Sequence, residues 1–265
     1  MKNRFLSAAL LLGALAVLGG CKKDPDTQPA ATTSTVALEF ENVAGAKAVA
    51  TDNTTVYTTA AGETFTLGTF EYYISNVVFT KTDGSTYAAP GVYHLVNAAK
   101  PATTEFTISD VPVGDYSGVK FMVGVDSTAT KADQLTMTGD LNPANNMYWT
   151  WNTGHIFLKA EGNVTSASNK AFTAHIGGYR KPYNAIVSAA PAFPSGTTLL
   201  VRADHAPEIH IAADVLKVFN NSSTFTLSAL PIIMDPNANS LKIAQNYGVG
   251  TNGAGMFTVE HIHAN

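Results

Sequence analysis

From Thr35 onward the chain alternates short runs of β-branched and aromatic residues with clusters of Gly, Pro, Asn, Asp and Ser. This is the pattern of an all-β protein. The runs predict strands over residues 36–40, 64–80 (one or two strands), 92–96, 105–108, 116–125, 155–161, 171–176, 198–201, 208–219, 225–227 and 256–262. Asp83-Gly84 in the turn 82–85 and the Pro and Gly of the stretch 111–116 supply the restricted dihedrals that turns need. Only residues 239–247 (NSLKIAQNY) read as a helix. With no composition break and no internal repeat after residue 34, the expected architecture is a single β-sandwich-like domain, residues 35–265, with long loops and one short helix near the C-terminus.

The N-terminus carries a different pattern. Lys2 and Arg4 precede an apolar run from Phe5 to Leu18, followed by Gly19, Gly20 and the single cysteine, Cys21. Such a segment is the layout of a secretory signal peptide, residues 1–20, and Leu18-Gly19-Gly20-Cys21 resembles a bacterial lipobox. Cleavage there would make Cys21 a lipidated first residue, with several acyl chains anchoring more stably than one. Residues 22–34 (KKDPDTQPAATTS), with two prolines and no apolar period, read as a flexible tether. The expected location is the bacterial cell envelope, lipid-anchored, at the outer membrane and facing the periplasm or the cell surface.

Composition narrows the chemistry. Charged residues are 14% of the chain and Thr, at 32, outnumbers Lys plus Arg, at 16, which favours strands over helices. The net charge of −4 lacks the basic footprint that phosphate contacts require, so nucleic acid is excluded as a partner. One cysteine rules out an intramolecular disulfide, a Cys₄ zinc site and a CxxC pair, and its use as an anchor removes a His₂Cys copper centre as well. GxSxG, HExxH and Walker signatures are absent, and the chain is read as no enzyme.

Histidine and tryptophan remain. Alternation places His175 on the face opposite Phe172, Ala174 and Ile176, and His210 opposite Ile209 and Ile211. His261 and His263 share one face, close enough to converge on one ion. Each of these also fits an ordinary hydrogen-bonded surface histidine. Met147-Tyr148-Trp149-Thr150-Trp151-Asn152 holds both tryptophans at i, i+2, which on a strand puts two indoles on one face, as core or as a stacking platform.

Several segments together resemble the copper-binding MbnP-like family, β-rich periplasmic or lipid-anchored proteins linked to methanobactin-associated systems and to proteins such as MopE and CorA. They are Leu38-Glu39-Phe40, residues 70–79 (FEYYISNVVF), Val113-Gly114-Asp115-Tyr116, Gly124-Val125-Asp126, residues 147–162 (MYWTWNTGHIFLKAEG), residues 172–178 (FTAHIGG), Ile209-His210-Ile211 and Asp214-Val215-Leu216. The resemblance implies one copper ion, of unspecified oxidation state, held by histidines and by a tryptophan oxidised to kynurenine by a di-haem cytochrome c peroxidase-like (MbnH-like) partner. By motif position His175 is the first ligand candidate and Trp149 or Trp151 the modifiable residue. His210 follows, then His261 and His263 on spacing alone. His155 stands where the family carries Tyr and is either an extra ligand or a local substitution. Copper capture or storage is the implied role. The competing reading is a metal-free β-sandwich binding module that stacks a glycan or peptide on Trp149 and Trp151.

Overall fold

A computed structural model describes residues 32–230 and 232–263; the expected leader, Cys21 and the tether up to residue 31 lie outside the described residues. The chain runs through β1 (Thr33–Ala44), β2 (Lys47–Ala48), β3 (Tyr57–Thr58), β4 (Thr64–Lys81), β5 (Thr86–Ala88), β6 (Tyr93–Asn97), β7 (Glu105–Pro112) and β8 (Gly114–Val123). After α1 (Ser127–Thr130) come β9 (Tyr148–Trp149), β10 (Gly154–Val164), β11 (Lys170–Gly177), β12 (Val187–Ala189), β13 (Leu199–Val201) and β14 (Glu208–Asp214). The helices α2 (Val215–Phe219) and α3 (Ala238–Gly248) precede the last strand, β15 (Phe257–His263).

The strands form two sheets, as the alternating pattern implies. One has the order β15-β14-β1-β2 with β7 also on β1; the other has the order β11-β10-β4-β8-β12 with the short strands on its flanks. On β1 the residues Val36, Leu38 and Phe40 are fully buried while their neighbours are not, the period-2 signature of a half-buried strand. Phe40 meets Tyr72 of β4 and Phe121 of β8 edge-on at 6.2 and 5.7 Å, and Phe257 of β15 at 6.0 Å, so one aromatic cluster joins the two sheets. β4 is one 18-residue strand, bent where Asn76 takes a left-handed φ of 49° and the pairing with β8 shifts register. The stretch read as a turn at 111–116 is a crossover: β7 pairs with β1 in one sheet and β8 with β4 in the other.

Three expectations are corrected. The strand at 208–219 ends at Asp214, whose carboxylate accepts a hydrogen bond from Leu216 N and caps α2. Residues 225–227 form no strand; the amides of Leu227 and Ser228 donate instead to the Glu63 carboxylate, opening a 3₁₀ turn. The first strand begins at Thr33, inside the expected tether, because Thr33 and Ser34 pair with Pro112 and Val111. Helix α3 forms where expected, its start fixed by a reciprocal cap between Asn237 and Ser240. Among the described residues no helix is long and apolar enough to cross a membrane.

Candidate metal centre

The parallel pairing of β14 with β1 sets Glu39 opposite His210, and the antiparallel pairing with β15 sets His261 opposite His210 and His263 opposite Glu208. Strict alternation would not deliver this. Phe257 and Val259 are buried, so an unbroken strand would turn His261 inward with them and Ile262 outward. The register shifts instead between His210 and Ile211: Ile211 pairs with Val259 and His210 with His261, leaving Glu260 as an extra residue. This β-bulge resets the phase, so Ile262 packs against the core while His261 and His263 emerge beside His210.

The three imidazoles form a compact group. His210 and His261 stack at 4.1 Å between ring centroids, and His263 lies 4.8 Å from His210 and 4.7 Å from His261. One nitrogen from each can be chosen so that all lie within 4.8 Å of one another. A second group of the same kind, Glu39, Glu208 and His210, shares the central histidine. His210 Nδ1 lies 2.7 Å from Glu39 Oε2, and its Nε2 lies 3.6 Å from Glu208 Oε1. Glu41 follows Glu39 on the same face of β1, Glu105 of β7 lies opposite Glu39, and Glu41, Asp214 and Glu260 line a groove on this side of the sheet. Carboxylates gathered on one face raise the local concentration of cations.

His175 and His155 belong to the other sheet and share no such cluster with these histidines among the described residues. His175 is buried on β11, and burial holds its pKa below the ordinary histidine value despite the nearby Glu161. Glu161 loses solvation on burial, yet hydrogen bonds from His175 and Thr69 keep its pKa below the usual glutamate value. His175 is thus a neutral imidazole that donates Nε2–H to Glu161 Oε1 at 2.6 Å, with a lone pair on Nδ1 that has no partner among the described residues. A carboxylate fixing one nitrogen while the other stays free is the arrangement of a metal-ligating histidine.

Trp149 is near this position. A Cβ at Gly177, which shares the face of His175 on β11, would come within 2.7 Å of the His155 carbonyl oxygen and 2.9 Å of Trp149 Cζ3, so the glycine admits both the backbone and the indole. Trp149 is 3% exposed, and its Nε1–H is also without a partner among the described residues. Trp151 is 64% exposed, with its ring 5.9 Å from Trp149. The two do not share a strand face as their spacing predicts, because β9 ends at Trp149 and residues 150–153 turn the chain into β10. A platform of two exposed indoles is therefore not formed.

His155 is not available as a ligand. It is fully buried, Nδ1 accepts from Thr130 Oγ1 at 2.7 Å, and Nε2–H donates to Leu141 O at 3.1 Å. Burial lowers its pKa, which fixes the neutral form this network needs. Of the site residues, sequence reasoning missed Glu39, Glu208 and Glu161. Glu208 was legible at i, i+2 from His210; Glu39 depends on a parallel pairing that leaves no local mark.

The site donors divide between the two sheets. No curated protein sequence matches the chain. The solved structure of MbnP from Methylosinus trichosporium is similar, with a TM-score of 0.55 at 13% identity, over 88% of this chain and 99% of that one. At that identity the likeness carries the fold. The MbnP family model matches residues 33–235, a span that contains Trp149, Trp151, His155, His175 and His210 and ends before His261 and His263. The match over most of its length shows that the chain belongs to the MbnP family.

Proposed function

We propose that the protein is an extracytoplasmic, lipid-anchored copper-binding protein that captures or stores one copper ion and is not an enzyme. The observation that supports this is the convergence of His210, His261 and His263, with nitrogens within 4.8 Å, on an outer sheet face rich in carboxylates. Imidazole nitrogen suits copper, and cysteine is not needed. Cys21 carries the lipid that holds the domain at the membrane.

A second reading is favoured by the two buried atoms without partners, Trp149 Nε1 and His175 Nδ1. Here copper is held by His175 and by a kynurenine made from Trp149 or Trp151 by a di-haem peroxidase-like partner. Trp151, being exposed, is the indole that such a partner meets first. The test is copper content by elemental analysis and intact mass, for protein made with and without that enzyme. The first reading expects His261→Ala/His263→Ala to lose copper and His175→Ala to keep it. The reverse result, together with the mass increase of a kynurenine, selects the second. A wild-type chain that binds no copper under either condition refutes both.

A further inference from the structure

The two ligand groups that share His210 differ in chemical character, and that difference makes a statement about metal choice. The histidine group offers three imidazole nitrogens, and the carboxylate group sets Glu39 beside Nδ1 and Glu208 beside Nε2 of the shared His210. Neither carboxylate is committed elsewhere by a hydrogen bond among the described residues, whereas Glu161 is held by His175 and Thr69. Both stand on adjoining strands that fix their register: Glu39 opposite His210 on β1, and Glu208 two residues before it on β14. Glu208 also faces His263 across the β14–β15 pair.

We infer that Glu39 and Glu208 are specificity-determining residues that make the His210–His261–His263 cluster a site for a divalent ion, Cu²⁺ or Zn²⁺, in preference to Cu⁺. The inference rests on the reading of this cluster as a metal centre. Hard carboxylate oxygen suits divalent ions, while Cu⁺ is satisfied by softer donors and gains little from it. Charge points the same way. Two carboxylates flanking the imidazole cluster balance the charge of a divalent ion, whereas a monovalent ion leaves a negative charge on a face that already carries Glu41 and Glu105.

The experiment compares wild type, Glu39→Gln, Glu208→Gln, the double variant and Glu39→Asp, in full-length protein, with Zn²⁺, Cu²⁺ and, under reducing anaerobic conditions, Cu⁺ as the probes. Competition with chromophoric chelators gives the affinities, and electron paramagnetic resonance reads the Cu²⁺ ligand set. The expected result is a roughly ten- to hundred-fold weaker hold on Zn²⁺ and Cu²⁺ in each Gln variant, unchanged Cu⁺ affinity, an altered Cu²⁺ spectrum, and partial rescue by Glu39→Asp. Affinities that stay the same for all three ions, or fall equally for all three, overturn the inference while leaving the copper reading intact. His261→Ala/His263→Ala separates the two: if it binds every ion as wild type does, the cluster is no metal centre, and both fail. Glu208→Gln carries the test by itself if Glu39→Gln does not fold.

Discussion

At the scale of single residues, the seven histidines are sorted by what their ring nitrogens already hold. His155 has both nitrogens engaged inside the core, and His94 sets Nε2 on Thr103 O and Nδ1 3.1 Å from Asp140. His155→Ala removes the acceptor of the Thr130 O–H and the donor to the Leu141 carbonyl and opens a cavity, which predicts a loss of about 3 kcal/mol in unfolding free energy. Chemical denaturation measures it, and copper content is expected to stay at the wild-type level. The same residue sets a pH dependence. Its folded pKa lies below the ordinary 6.5, so the unfolded chain takes up the proton first. Its contribution is therefore complete above pH 6.5 and is lost as the pH falls below that value. His175 acts with the same sign. Melting temperature is expected to drop between about pH 7 and pH 5, and less steeply in His155→Phe; equal slopes would show that this imidazole does not couple folding to protons.

At the scale of elements, the β15 bulge absorbs Glu260 and so lets His261 and His263 share the outer face with His210. Removing Glu260 takes out the extra residue, so Phe257, Val259 and Ile262 face the core in strict alternation while His261 and His263 stay outward beside His210. The shortened chain is therefore expected to keep its copper, as is Glu260→Ala; loss of copper on deletion alone would show that the site needs the bulged backbone itself and not only the outward face it provides. Elemental analysis and calorimetry on the pair separate the backbone's role from the carboxylate's. This bulge also shows how far the sequence was legible. Runs of β-branched and aromatic residues located β1, β10, β11 and most of β4, although only β1 and the second half of β10 keep a clean period of two in their buried positions. Alternation also gave His261 and His263 a common face. The phase slip from Phe257 and Val259 to Ile262 is written in the sequence, but three apolar residues are too few to be told from an ordinary irregular edge. The end of β14 at Asp214 was hidden because Val215, Val218 and Phe219 are as β-prone as they are buried, and the cap overrides that preference. The union of Glu39 with His210 joins residues from opposite ends of the domain through a parallel pair, which local patterns do not encode.

At the scale of the whole molecule, the proposed metal binding and the proposed membrane attachment rest on separate parts of the chain. The donors proposed here lie on strands between β1 and β15, the first of which begins at Thr33, while the proposed lipid sits at Cys21. On the proposed cleavage before Cys21, Lys2 and Arg4 are lost and the formal charge of −4 becomes more negative, so an anionic lipid surface would repel the domain. On this proposal the lipid has to supply the whole of the attachment. Cys21→Ser is therefore expected to move the protein entirely from the membrane pellet to the soluble fraction of the envelope, at low and at high salt alike. Its copper content should equal that of wild type, because no proposed ligand is touched. Retention of the variant in the pellet would mean that a protein surface, not an acyl chain, holds it there. Release with loss of copper would instead tie metal loading to the membrane, as expected if the partner that loads or oxidises the domain works only on the anchored form.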